Sequence, residues 1–191
     1  MAKNDSIIDY VNLTLNKIAN GGIYDQIGGG FCRYSTDKLW KVPHFEKMLY
    51  DNAQLISLYS KAYKLIKDEN FKSIVYQTID FVERELHDQK THAFYSSLDA
   101  DSEGKEGKYY LWSEEELQGI LKENFNLCKD YYNINKHGFW EGNYILLKNS
   151  QDSLVAKKYN LNQSELRQKI NTINKLLFNA RSSRVRPALD N

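Results

Sequence analysis

At 191 residues, with 26 basic against 25 acidic side chains and a formal net charge of +1, the chain can bury one sizeable core and exerts no global electrostatic pull on nucleic acid or an anionic membrane. Its two cysteines, Cys32 and Cys128, form no CxxC pair and no zinc-spaced cluster, so the sequence predicts neither a disulfide framework nor a metal site and points to a reducing, cytoplasmic setting. No apolar run nears the ~18 residues of a membrane span, and MAKNDSIIDY lacks the regions of a signal peptide.

In chain order, Ile7, Ile8, Val11, Leu15 and Ile18 recur at helical spacing and predict an amphipathic helix over 6–19, with Gly21 and Gly22 as its left-handed or flexible stop. GGIYDQIGGG then places five glycines in ten positions, which suits a structured loop that turns sharply or approaches something closely. A second helix is expected over 43–67, with Pro43 in its first turn and Phe45, Met48, Leu49, Leu55, Tyr59 and Ile66 on one face. A third, over 71–86, follows a link short enough for an antiparallel helical hairpin. FYSSLD and KYYLW read as two short strands of a hairpin around the acidic turn DADSEG. Ser113 with Glu116 opens a short helix, a strand is expected at 144–147, and Asn162 with Glu165 opens a long final helix that ends in the basic ARSSRVRP. No low-complexity linker interrupts the chain, so a single mainly α domain is expected over 1–191: helical hairpins over about 6–87, β-hairpin and loops over about 88–150, and C-terminal helices over about 151–186.

Chemistry concentrates in three loop regions. On the helical wheel of KVPHFEKMLYDNAQ, Asn52 falls inside the apolar arc and His44 and Asp51 on its edge, whereas Glu46 and Lys47 point outward. Buried polar groups need partners, so this start is either a polar network that fixes the glycine loop or a ligand pocket with His44, Glu46 or Asp51 as acid or base. The glycine loop adds Tyr24, Asp25, Arg33 and Tyr34, with Asp25 and Arg33 suited to an internal ion pair or to a polar ligand. It has neither a GK[ST] nor a GxGxxG pattern, so no nucleotide cofactor is expected. DADSEG brings Asp99, Asp101 and Glu103 to alternate positions, yet counting from Asp99 the twelfth residue is Tyr110, so calcium is the weaker reading beside a hydrogen-bond network or a hydroxyl-rich ligand. Trp40 and Trp112 lie beside these loops as core residues or as stacking platforms for a sugar ring.

The stretches GGIYDQIGGGFCRYSTDKLWKVPHFEKMLYDNAQL, FYSSLDADSEGKEGKYYLW and RSSRVRPALDN together resemble the middle of the large thioredoxin domain-containing proteins of the spermatogenesis-associated protein 20 family. The resemblance implies part of an (α/α)6-type toroid similar to six-hairpin glycosidases and N-acylglucosamine 2-epimerases, without the thioredoxin-like domain that family members carry before it. It implies a fragment whose uncovered apolar faces, at Leu55, Tyr59 and Phe81, self-associate or meet a partner chain. It also implies a pocket at one end of the toroid, where a sugar-like molecule would meet the His44, Asp25 and Asp99 regions. The competing expectation is a non-catalytic module acting with a thioredoxin-like domain.

Overall fold

A computed structural model of the chain describes residues 5–148 and 151–190; the expectation about the extreme N-terminus lies partly outside them. The first amphipathic helix, α1, runs Asp5–Asn20 and buries Leu15 and Ala19. Its glycine stop works by close approach and not by a left-handed cap. A Cβ on Gly22 would sit 1.9 Å from the Lys41 carbonyl oxygen, and Gly22 N–H donates to Trp40 O at 2.8 Å. The glycine loop then doubles back, with Tyr24 bridged to Phe31 and Asp25 N–H bonded to Gly30 O.

The largest departure from the expected pattern follows. Residues 43–48 are extended, and the second helix, α2, is Leu49–Ile66. β1 (Tyr34–Ser35) pairs with β2 (Pro43–His44), and β3 (Lys47–Met48) pairs with β4 (Ser97–Leu98), which in turn pairs with β9 (Leu189–Asp190) at the far end of the chain. Pro43, Phe45 and Lys47 are buried while His44, Glu46 and Met48 are half-buried. That is the period of two of a strand, and neighbouring backbone, including Glu46 O accepting from Arg33 N–H at 2.9 Å, supplies the hydrogen bonds a first helical turn would have made.

α2 ends at Lys67 in the left-handed region, and Asp68 caps α3 (Glu69–Phe81), so a two-residue link joins the helical hairpin; Phe81 continues into a π-helical turn, Val82–Leu86. The acidic hairpin is tighter than expected: β5 (Asp101–Ser102) pairs with β6 (Lys105–Glu106), while FYSSLD pairs with β3 and not with KYYLW. α4 (Glu114–Leu121) is capped by Ser113 and leads through a short 3-10 turn into α5 (Phe125–Tyr131). β7 (Phe139–Trp140) and β8 (Asn143–Tyr144) make a small hairpin, so the strand expected at 144–147 begins one residue early and is short. α6 (Asp152–Lys158) and α7 (Gln163–Arg181) follow, α7 opened by the expected Asn162/Glu165 capping box.

The architecture is mainly α with small antiparallel β-hairpins, and the described helices do not close into a barrel. One core gathers Leu15, Phe31, Tyr59, Phe71 and Ile74 from α1, α2, α3 and the glycine loop. Another gathers Trp112, Leu117, Tyr132, Leu166 and Ile173 from α4, α5, α7 and the intervening loops. Of the residues expected on an uncovered apolar face, Tyr59 and Phe81 are buried within the chain, whereas Leu55 is half-buried. No described helix is long and apolar enough to cross a membrane.

Candidate functional site

The alternation of residues 43–48 divides their side chains between two sites, one inside and one at the surface. Lys47, expected to reach solvent, points inward and is 1% exposed. Its ammonium donates to Asp25 Oδ2 at 2.9 Å and to Gly29 O at 3.0 Å, and lies 4.6 Å and 4.7 Å from the ring centres of Phe81 and Tyr110. Burial lowers its pKa, and Asp25 opposes that effect without cancelling it.

Asp25 is the hub of the interior site. Its Oδ1 accepts from the Ile27 and Gly28 backbone N–H groups, both at 3.0 Å, and from Arg181 Nη1 at 2.9 Å. Burial by itself would raise the Asp25 carboxyl, but Arg181, Lys47 and these hydrogen bonds outweigh it and hold the group well below the usual carboxylate range. The glycines make this packing possible: a Cβ on Gly28 would stand 2.1 Å from Arg181 Nη2. The expected ion pair between Asp25 and Arg33 therefore does not form; Asp25 pairs with Lys47 and Arg181, and Arg33 pairs with Glu46.

At the surface, His44 Nδ1 lies 2.8 Å from Glu106 Oε1 and its Nε2 lies 3.7 Å from Glu46 Oε2. The Tyr34 ring stacks on the imidazole with centres 5.0 Å apart, and Arg33 Nη1 donates to Glu46 Oε2 at 3.1 Å. Because an ionised carboxylate only accepts, Glu106 places the neutral imidazole's proton on Nδ1 and leaves Nε2 as the basic atom. Beside this cluster opens a groove of about 880 Å³ whose lining includes Arg33, Tyr34, Trp40 and Asp51. Asp51 Oδ2 is buried without a hydrogen-bond partner, and burial raises its carboxyl pKa against the opposing charge of Arg33. Trp40 is held at φ 60°, a left-handed conformation uncommon for a bulky residue.

Thus His44, Glu46, Arg33 and Tyr34 come together, with Trp40 and Asp51 in the adjoining groove. The other sequence-expected residues lie elsewhere. Asn52 is fully buried, its amide engaged by Phe31 N and O and by Met48 O, and it ties α2 to the glycine loop. Trp112 is 1% exposed under the Arg184 guanidinium, 4.0 Å away. Tyr24 is buried and donates to Gln77 Oε1 at 2.7 Å, facing a polar cleft of about 490 Å³ between α3 and α7. Asp99 accepts from Asp101 N–H at 3.2 Å, and Asp101 is exposed. Among the described residues no three His, Cys, Asp or Glu side chains converge on a point that could hold a metal ion.

Glu106, Lys47 and Arg181 escape the sequence reading. Glu106 does lie in the acidic hairpin, but the strand register that turns it toward His44 is set by the pairing Asp101↔Glu106, not by the carboxylate spacing of DADSEG. Arg181 sits in a basic helix end that, read alone, complements only the helix dipole.

No family model matches the chain. Spermatogenesis-associated protein 20 of Homo sapiens is 36% identical over 203 residues, a span that covers 93% of this chain and 26% of that protein. Over this span the chain is homologous to spermatogenesis-associated protein 20. Spermatogenesis-associated protein 20 of Mus musculus is 37% identical over 204 residues, and an uncharacterised Caenorhabditis elegans protein is 33% identical over 212 residues. The chain spans about a quarter of the length of the spermatogenesis-associated protein 20 relatives, 26% in each of the human and mouse proteins.

Proposed function

We propose that this segment carries an acid–base site for a sugar-like, hydroxyl-bearing small molecule, with His44 as the proton-transferring group. The observation that carries the reading is the placement of one imidazole between two carboxylates, Glu106 at 2.8 Å and Glu46 at 3.7 Å, beside an open groove. Glu106 would orient the ring and fix its tautomer, as carboxylates do for catalytic histidines. Nε2 would then take a proton from a hydroxyl or from a carbon next to a carbonyl and return it, which suits epimerisation, isomerisation or hydrolysis. Glu46, held by Arg33, would stabilise the imidazolium formed on the way. Trp40 and Tyr34 would offer ring faces to the apolar side of a sugar, and Asp51 would accept from its hydroxyls.

The test is to incubate the chain with a panel of mono- and disaccharides, following thermal stability and the conversion of each sugar by NMR. A sugar that raises the melting temperature should lose that effect in Trp40→Ala. Conversion should fall about 10²–10⁴-fold in His44→Ala. If no sugar shifts stability and none is converted, the proposal fails.

A second reading, a non-catalytic module that works with a thioredoxin-like domain, is favoured by the tight packing of Asp25, Asn52 and Trp112. In that case the His44 cluster serves only to clip β2 to the acidic hairpin. Glu106→Gln would then lower stability and leave every sugar response unchanged.

A further inference from the structure

α3 packs on α2, and α7 on α4 and α6, and between α3 and α7 opens the polar cleft of about 490 Å³ that Tyr24 faces. It continues past Gln26, Gln77, Asn171 and Asn174 into a second hollow of about 450 Å³ against Gly28 and Gly29. Each wall is a stripe of polar side chains at helical spacing: Asn70, Ser73 and Gln77 on α3, and Asn171 and Asn174 on α7. Solvated amides on a helix surface would by themselves mean little. Here, however, a buried tyrosine holds one amide in each wall. Tyr24 OH, 4% exposed, donates to Gln77 Oε1 at 2.7 Å, and Tyr132 OH, 2% exposed, donates to Asn174 Oδ1 at 2.8 Å.

These contacts orient the two amides and leave each of them half used. Gln77 Nε2 donates to Ser73 Oγ at 2.8 Å and Asn174 Nδ2 reaches Gln26 O at 3.4 Å, so each amide keeps one N–H and one oxygen lone pair. One donor beside one acceptor is the complement of a peptide group. Asn171, exposed one turn before Asn174, makes no side-chain hydrogen bond with the described residues.

The rest of the lining narrows the class of ligand. Charges along the cleft are largely paired within the chain, as Lys72 with Glu69 and Lys148 with Asp152, and the others, Arg167, Lys175 and Asp80, include both signs. No single-sign field therefore selects an ionic ligand. A sugar ring would want a free aromatic face, which the His44 groove offers in Trp40 and Tyr34. In this cleft Tyr24, Tyr131 and Tyr132 are buried, Phe178 lies under the Arg84 guanidinium at 4.9 Å, and of the lining rings only Tyr76 is exposed. From Asn70 to Asp80 the α3 wall rises about 15 Å, the reach of about four to five residues of extended chain at ~3.3 Å each.

We infer that the α3–α7 cleft binds an extended, uncharged stretch of a partner polypeptide through its main chain. Gln77 and Asn174 pair with peptide groups from opposite walls, and Asn171 extends the second row. The cleft shares no lining residue with the groove beside His44, so this site stands apart from the acid–base reading.

The experiment follows the side-chain NH2 signals of the ¹⁵N-labelled chain by NMR, with Gln77 and Asn171 assigned through Gln77→Ala and Asn171→Ala. The probe is a pool of end-capped hexapeptides of randomised Gly, Ala, Ser and Thr, set against the same pool N-methylated at alternate residues and against maltohexaose. The unmodified pool should shift the Gln77 and Asn171 signals saturably, and the N-methylated pool, which lacks the main-chain donors, should not. Asn171→Ala, at an exposed position, should raise the half-saturating concentration about 3–10-fold, the loss of one hydrogen bond. Trp40→Ala should leave it unchanged. Signals that stay still up to millimolar pool, an equal response to the N-methylated pool, or a response to maltohexaose alone, which would give the cleft to a carbohydrate, would overturn the inference.

Discussion

Asp25 joins the glycine loop, β3 and α7 through one carboxylate, and its surroundings make a definite pH prediction. Unfolded, the group titrates near 3.8, and folded it titrates well lower. Its contribution to stability is therefore fully present above the unfolded value and is lost as pH falls below it toward the folded one. Urea unfolding at stepped pH should show stability steady near neutrality and falling steeply below about pH 4. Asp25→Asn should remove much of that acid dependence and cost about 3–5 kcal/mol at neutral pH, because it leaves Lys47 and Arg181 buried and unpaired. The two thiols give a second prediction at this scale. Burial pushes both Cys32 and Cys128 up to about 12, so neither should react with iodoacetamide at pH 8 until the protein is unfolded. Alkylation followed by mass spectrometry, with and without urea, checks this. Of the candidate site at this scale, the sequence named His44, Arg33, Tyr34 and Glu46 among its candidates but did not separate them from Asp25, Asn52 and Asp99, which lie elsewhere. Glu106, the partner of His44, was not legible, since nothing in one hairpin's sequence names the histidine 62 positions away that its side chain will meet.

At the scale of elements, the two helix starts at Ser113 and Asn162 were readable because a cap is a contact between residues three positions apart, and both form as expected. The start of α2 was not readable from the same kind of evidence. Pro43 suits a first helical turn, and a wheel drawn through 43–54 sends Lys47 outward. Only the long-range pairing of Lys47 with Leu98 and of Tyr34 with His44 makes the segment extended. The alternation Pro43, Phe45, Lys47 against His44, Glu46, Met48 was present all along, but it reads as a strand only once a lysine is allowed inside, which requires knowing that Asp25 waits there. Glycines separate the same two kinds of information. Gly119 lies at an exposed position of α4 with open space where a Cβ would go, so Gly119→Ala should raise stability by about 0.5–1 kcal/mol. Gly30 has φ 79°, and its Cβ would stand 2.4 Å from the Phe81 ring, so Gly30→Ala should cost about 1–3 kcal/mol. Thermal melts of the two variants should move in opposite directions.

For the whole molecule, the Asp25 centre and the β3–β4–β9 sheet are where the start and the end of the chain meet: Arg181 reaches Asp25, and Leu189–Asp190 pairs with Ser97–Leu98. The basic tail thereby acquires specific work. Arg184 donates to Tyr109 O and Leu111 O at 2.7 and 2.8 Å and to Glu116, while Arg186 pairs with Glu85. Since the two main cores meet across this shared ionic centre, we expect helical circular dichroism and tryptophan fluorescence to melt together. In Asp25→Asn the two signals should come apart, with the core around Trp112 reporting its own transition. A separation already present in the wild type would show that the two parts unfold independently.

By itself the sequence determined the mainly α class, the helical hairpin α2/α3, the capped α4 and α7, and the glycine loop as a place of close approach. These rest on periodicity and on contacts between near neighbours, which a linear string records. Only the tertiary structure decided that Lys47 and Arg181 are interior charges, that Tyr59 and Phe81 are covered by the chain's own residues, and that Glu106 is the group that meets His44. The charged contacts among these join residues 22 to 156 positions apart. At that range the energy of a buried charge or an unfilled donor is set by the partner it meets and not by its neighbours in the sequence.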